Sequence, residues 1–143
     1  CTPTTCTVAP TAAKPASWHA EGLATWFEGF DWDGKTWKFG AASEGRLPFA
    51  RDAMKNGRHI ALADLVKGDA LALLNSDSQK ALLFYAECWS LNYYLTITDN
   101  RVYREAYVAY RKAVEAGKVA ELAGFFKDLA QLEKDWIQFV TGL

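Results

Sequence analysis

The sequence lacks most of the features that point directly to a function. Its sixteen basic and seventeen acidic residues leave a net charge of −1, and no strongly basic stripe stands out, which argues against a dedicated nucleic-acid-binding protein. No run of about 18 apolar residues occurs, so we expect no transmembrane segment. The chain also has no G-x-S-x-G elbow, P-loop or G-x-G-x-x-G turn. These absences remove the commonest serine hydrolase and nucleotide-binding motifs.

Cysteine is scarce, with three residues in the chain. Cys1 and Cys6 flank a Thr/Pro stretch and could close a disulfide loop in an oxidising compartment. An N-terminal cysteine also fits a lipid-modified mature end. We therefore expect a secreted or cell-envelope protein. Cys88 stands alone in an apolar segment and is predicted to be an inert core thiol.

Apolar residues, in contrast, are plentiful: half of the 143 residues are hydrophobic and 14% are aromatic. A chain of this size is most simply one domain with a substantial core. Residues 1–16 are rich in Thr, Ala and Pro and predict an arm or linker. Residues 17–143 are dominated by helical patterns, so the predicted fold class is mainly α.

The predicted architecture is a helical domain around a central buried helix at about 80–97, whose apolar residues cover most of the helix circumference. Ser76 and Gln79 have capping-box spacing just before it. A small β-hairpin is predicted near 30–39, because Asp33-Gly34 separates two aromatic-rich arms. Residues 62–75 are interpreted as a helical turn followed by a mobile or weakly helical connector. The other predicted helices are about Trp18–Glu28 with Ser17 as N-cap, Leu47–Asn56, one from Asp99 or Asn100 to Gly117, Val119–Phe126, and a last helix capped by Asp128.

Glu21 is unusual because it lies among aromatic and small apolar residues in the first predicted helix. Periodicity alone makes it a first-turn glutamate stabilised by the helix dipole. Gly22 and Ala24 are small enough to let another backbone or a metal site approach closely. His19 does not join Glu21 in a site, because residues i and i+2 point about 200° apart on a helix. His59 is predicted to be a helix-end or surface histidine.

Three segments resemble parts of gluzincin metallopeptidases, in the order found in that family. The stretch WHAEGLATWFE, Trp18–Glu28, resembles the helix that carries the third zinc ligand, with the pattern W-x-x-E-G-x-A-x-(aromatic)-x-E. Phe84–Leu95 is similar to the helix of the peptidase-MA-like group that follows the active site and carries a tyrosine at its start. Leu129–Trp136 resembles the last helix of that group, where L-x-x-L-E-x-x-W recurs. The closest likeness is to bacterial peptidase-MA-like families described as domains of unknown function.

The resemblance implies the C-terminal portion of a zinc metallopeptidase acting on a peptide or protein substrate. Glu21 would be the third zinc ligand, since zinc accepts a carboxylate oxygen beside two imidazoles. Tyr85 would donate a hydrogen bond where negative charge develops on the substrate carbonyl, with Tyr93 and Tyr94 as its rivals. Glu28 would be a supporting carboxylate or a surface residue, and we favour the surface.

The chain departs from that family in one respect. Gluzincins take two zinc ligands and the general base from a His-Glu-x-x-His helix. The only histidines are His19 and His59, and neither begins that motif. We therefore expect no zinc and no peptide hydrolysis for this segment alone. The missing helix would come from an N-terminal remainder of the same protein.

Two other classes of function stay open. A non-catalytic helical interaction or scaffold module would keep this fold without the chemistry. A glycan-binding or glycosidase-like groove is indicated by Asp31 and Asp33 beside Trp32 and Trp37.

The tyrosine-rich face of the predicted helix around Tyr107 is interpreted as exposed to solvent.

Overall fold

Seven α-helices and one β-hairpin make up the part of the chain that the computed structural model describes, which is residues 16–26, 30–39 and 45–143. The mainly α fold class is confirmed. The Cys1–Cys6 pair, Glu28 and all of the predicted arm except Ala16 lie outside the described residues. In chain order the elements are α1 (Ser17–Trp26), β1 (Phe30–Trp32), β2 (Trp37–Phe39), α2 (Arg46–Lys55), α3 (Leu62–Leu65), α4 (Ala70–Ser76), α5 (Ser78–Ile97), α6 (Arg101–Glu115) and α7 (Leu129–Gly142).

The central helix is α5, at the predicted place. Eleven of its twenty residues are buried, because α1, α2, α4, α6 and α7 all pack against it. Asp77 caps its first turn by accepting hydrogen bonds from the backbone N–H groups of Gln79 and Lys80, both at 3.1 Å. The predicted cap at Ser76 is wrong. Ser76 ends α4, and its hydroxyl donates to the Ala72 carbonyl at 2.9 Å.

Aromatic rings fill much of the core around α5. Trp18, Trp89 and Trp136 are each at most 1% exposed. Trp136 of α7 also donates from its indole Nε1 to the Ser90 hydroxyl of α5 at 3.0 Å. Cys88 is fully buried, and this burial raises the pKa of its thiol, which agrees with an unreactive core cysteine.

The predicted hairpin is confirmed. β1 and β2 pair antiparallel, with Trp32 opposite Trp37. Asp33 closes the turn, because its Oδ1 accepts hydrogen bonds from the backbone N–H groups of Lys35 and Thr36, each at 2.9 Å. Gly34, which follows Asp33 in this turn, has a φ of 93°, a backbone conformation that a residue with a Cβ rarely adopts.

Helix starts and stops follow local side chains. Asn100 and Asp128 cap α6 and α7, as predicted, by accepting from backbone N–H groups of their first turns at 3.2 and 3.0 Å. Gly117, with a φ of 73°, follows the end of α6. Helix α1 begins one residue earlier than predicted, since the carbonyl of Ala16 accepts its first hydrogen bonds and Ser17 is already helical.

Three other predictions are corrected by the structure. The segment expected to be a mobile or weakly helical connector forms the seven-residue helix α4, because Asp69 caps it by accepting from the Leu71 N–H at 3.0 Å. The helix expected at 119–126 is reduced to a 3-10 turn at Leu122–Gly124. The face of α6 expected to be solvated is inside the core, where Tyr107 is 2% exposed. None of the described helices is long and apolar enough to cross a membrane.

Candidate functional site

Helix α1 carries Glu21 and is fixed to α5 by a close contact at Gly22. A Cβ built on Gly22 would lie 1.8 Å from Asn92 Nδ2 and 2.8 Å from the Cys88 carbonyl oxygen. The two helices therefore approach at a point where only glycine fits. The expectation that Gly22 admits another backbone is correct, and the neighbour is α5.

The buried side chain of Asn92 ties three helices together at this contact. Its Nδ2 donates to the Cys88 carbonyl at 2.9 Å and to the Trp18 carbonyl of α1 at 3.4 Å. Its Oδ1 accepts from the Tyr107 hydroxyl of α6 at 2.6 Å. Because every polar atom of the amide has a partner, the network fixes how α1 sits on α5. The position of Glu21 follows from it.

Glu21 of α1 and Tyr85 of α5 are both half-buried, and their two helices pack against each other. Burial raises the pKa of the Tyr85 phenol, and the negative charge of Glu21 raises it further. The Arg46 guanidinium of α2 acts in the opposite direction on the pKa, with its Cζ 5.9 Å from the centre of the Tyr85 ring. The structure thus brings together the two residues singled out in the sequence. It also places the Arg46 guanidinium over the ring of Tyr85. No sequence motif at the start of α2 indicates a role for Arg46 in this site.

The rival tyrosines have packing roles. Tyr93 stacks on Trp89 with ring centres 5.2 Å apart. Tyr94 is 7% exposed and lies against Phe139 at 4.8 Å. Of these three described tyrosines, Tyr85 is the one with a guanidinium over its ring, and the charge of Glu21 raises the pKa of its phenol.

His19 is unsuited to join Glu21 in holding a metal. It is 3% exposed and packs edge-on against the rings of Tyr107 and Tyr110, with centres 6.1 and 5.2 Å away. Burial lowers its pKa to about 4. The imidazole is therefore neutral and enclosed by α6. Among the described residues, no three His, Cys, Asp or Glu side chains group together in a way that could hold a metal. Glu21 fits one ligand position, and this part of the chain does not complete a zinc site.

His59 lies far along the chain from His19 and Glu21, in the turn between α2 and α3. It is half-buried, and its Nδ1 is enclosed without a hydrogen-bond partner, so the expectation of a surface or helix-end histidine holds only in part.

The glycan interpretation loses one candidate residue, since the Asp33 carboxylate is engaged in closing the hairpin turn. The side chains of Asp31 and Trp37 lie outside the described residues.

A pair of carboxylates that the sequence reasoning missed holds the same turn. Glu87 of α5 is fully buried, and both of its oxygens accept from the Ile60 N–H at 3.0 and 3.1 Å. Glu133 of α7 accepts from the N–H of Leu62. Burial raises the pKa of Glu87 to about 8, and the charge of Glu133 adds to this effect. The sequence does hint at Glu87, because it is a glutamate inside the apolar run FYAECW. Its hydrogen-bond partner, Ile60, lies 27 residues away in the chain.

The fold and the site together define a mainly helical domain in which a half-buried carboxylate of α1 acts electrostatically on a tyrosine of the central helix. The chain belongs to the family described as "Protein of unknown function (DUF1570)", which matches residues 3–116. That range contains both Glu21 and Tyr85 and ends just after α6. The expected likeness to a family of unknown function is confirmed. No curated protein and no solved structure matches the chain.

Proposed function

We propose that this chain is the C-terminal portion of a gluzincin-type zinc metallopeptidase, with Glu21 as the third zinc ligand and Tyr85 as a hydrogen-bond donor to the substrate carbonyl. The proposal is supported by the packing of α1 on α5 and by the negative charge of Glu21, which raises the pKa of the Tyr85 phenol. These are the two residues for which the gluzincin resemblance implies roles.

The chain's own residues fit those roles chemically. A half-buried carboxylate on a fixed helix can bind a cation without having to be moved into place. The raised pKa of Tyr85 keeps its phenol protonated, so the O–H is ready to donate where negative charge develops. Zinc, when bound, would act as a Lewis acid and lower the pKa of a coordinated water. Two imidazoles and a general base would have to come from a His-Glu-x-x-His helix outside these residues, so this segment alone is not proposed to cleave peptides.

Metal analysis of the full-length gene product tests the proposal. The wild-type protein should hold about one zinc per chain. Glu21→Gln should weaken zinc binding by at least about tenfold, since it removes a ligand. Glu105→Gln is the matched control, because Glu105 is an exposed residue of α6 paired with Arg101, and zinc content should not change. A full-length protein that binds no zinc would falsify the proposal.

Tyr85→Phe separates binding from chemistry in the same protein. Zinc content should stay at the wild-type level, while kcat on a peptide library falls roughly 100- to 1000-fold, the usual effect of removing one such donor. Equal kcat for Tyr85→Phe and wild type would remove Tyr85 from the mechanism and leave the zinc assignment intact.

A scaffold module is the second candidate, favoured by apolar side chains exposed on α4. Leu71 and Leu74 are 67% and 47% exposed. Residues three apart on a helix are neighbours on its surface, so these two leucines can contribute to an apolar patch that another protein covers. This candidate requires that the full-length protein hydrolyse no peptide, with zinc added, and that Leu71→Ser with Leu74→Ser abolish binding of a partner.

A further inference from the structure

A cavity lies between the start of α1, the end of α3, the end of α6 and the segment that leads into α7. Its volume is about 460 Å³, within the range of about 300–1000 Å³ that small-molecule sites occupy. It shares only the beginning of α1 with the Glu21–Tyr85 site. The residues of its wall include Trp18, Val66, Val114, Leu122 and Leu129.

The wall of this cavity is apolar. Trp18 and Leu122 in its wall are 1% and 2% exposed and belong to the hydrophobic core, so the cavity reaches that core. Val66, Val114 and Leu129 are half-buried and pack against that core. An alkyl chain placed against these side chains would leave water, which contributes about 25 cal/mol for each Å² of apolar surface removed.

The rim of the cavity carries positive charge. Lys67, just after α3, and Lys118, just after α6, both line it. Neither ammonium forms an ion pair with any residue that the structure describes. One carboxylate, Glu121, also lies at the rim, so the charged residues of the lining sum to one positive charge. An apolar interior with an excess of cations at the mouth suits a ligand with an apolar tail and one anionic head.

We propose that this cavity binds a small amphipathic monocarboxylate, such as a medium-chain fatty acid. The alkyl tail lies along Trp18, Val114 and Leu122, and the carboxylate lies at the rim between Lys67 and Lys118. This assignment is independent of the zinc proposal, because it involves neither Glu21 nor Tyr85.

Titration of the complete chain with octanoate tests the site. Calorimetry should show saturable binding with a Kd of about 1 mM or tighter. The methyl NMR signals of Val66, Val114 and Leu122 should shift during the same titration, which places the ligand in the cavity without any substitution. Octanol has the same tail without the charge, and octylamine has the opposite charge. Both should bind more weakly than octanoate.

Substitutions at the rim and mouth give the second part of the test. Lys67→Gln combined with Lys118→Gln should weaken octanoate by roughly three- to tenfold, as expected for exposed charge pairs, and leave octanol unaffected. Lys112→Gln, an exposed lysine of α6 that does not line the cavity, is the control. Ala63→Trp, at an exposed position of α3 that lines the cavity, should block both ligands. Absence of saturable octanoate binding, methyl shifts elsewhere, or equal affinity for octanoate and octanol overturns the proposal.

Discussion

Gly22 of α1 rests directly on the side chain of Asn92 of α5, so that a single added methyl would lie 1.8 Å from Asn92 Nδ2. The neighbour is held by hydrogen bonds to the carbonyls of Cys88 and Trp18 and has little room to move. Close approach of the two helices, rather than backbone conformation, is what requires glycine at this position.

We expect Gly22→Ala to destabilise the domain by roughly 1–3 kcal/mol, because overpacking at a fixed contact exceeds the gain in helix propensity of up to about 1 kcal/mol. Gly142→Ala is the matched control. A Cβ at that helical glycine of α7 meets nothing within 4 Å, so its stability should be unchanged or slightly higher. Urea unfolding of both variants measures the difference. Equal stability for the two would show that α1 does not pack on α5 as described.

The start of the central helix offers a direct comparison of two neighbouring side chains. Asp77→Ala should cost about 1 kcal/mol, because Asp77 accepts from two N–H groups of the first turn of α5. Ser76→Ala should cost less than about 0.5 kcal/mol, since its exposed hydroxyl bonds to a carbonyl already used by the helix. Chemical denaturation at neutral pH gives both values. A larger loss for Ser76→Ala would restore the capping box predicted from the sequence.

Glu87 should make stability depend on pH in a defined direction. Its pKa is raised from 4.5 to about 8 in the folded protein, mainly by burial, so the folded state holds the proton more tightly than the unfolded state. The stabilisation from this proton is complete below about pH 4.5 and is lost as the pH rises through about 8.

Glu87→Gln keeps an oxygen for the Ile60 N–H and cannot ionise, so it should lose less stability than the wild type over that range. Free energies of unfolding in urea at about pH 5 and about pH 9 test this. The exposed Glu105→Gln should retain the wild-type pH dependence. Parallel pH profiles for wild type and Glu87→Gln would contradict the buried, protonated carboxyl.

The electrostatic interaction between Glu21 and Tyr85 can be measured without any metal. Glu21→Gln should lower the pKa of the Tyr85 phenol, because it removes the negative charge that opposes ionisation. Arg46→Gln should raise the pKa, since it removes a nearby positive charge. NMR titration of labelled tyrosine follows both changes, with Glu105→Gln as the control that leaves Tyr85 alone. An unchanged pKa in Glu21→Gln would mean that the two side chains are not neighbours.

Features set by neighbouring residues were predictable from the sequence. The Asp33-Gly34 turn and the caps at Asn100 and Asp128 each depend on a side chain bonding within its own turn. The burial of the central helix was equally predictable, since apolar residues cover most of its circumference. Capping by Asp69 is also local, and it turns the expected connector into α4.

Features set by distant partners were not predictable. Tyr107 lies on a helix with many charged residues, and its burial follows from contacts with Asn92 and His19 on two other helices. The hydrogen-bond partner of Glu87 is the Ile60 N–H in a turn, and no sequence pattern near Ile60 predicts this bond. In the candidate site, Glu21 and Tyr85 came from a family resemblance, whereas Arg46 reaches the ring of Tyr85 only through the placement of α2.

The limit of the family match does not coincide with the limit of the folded unit. The match ends at residue 116, yet α7 beyond it supplies Trp136 to the core and Glu133 to the first residue of α3. A fragment cut at that limit would leave Ser90 without its indole partner and the Leu62 N–H without its carboxylate. Expression of the domain for any of these measurements therefore has to extend through α7.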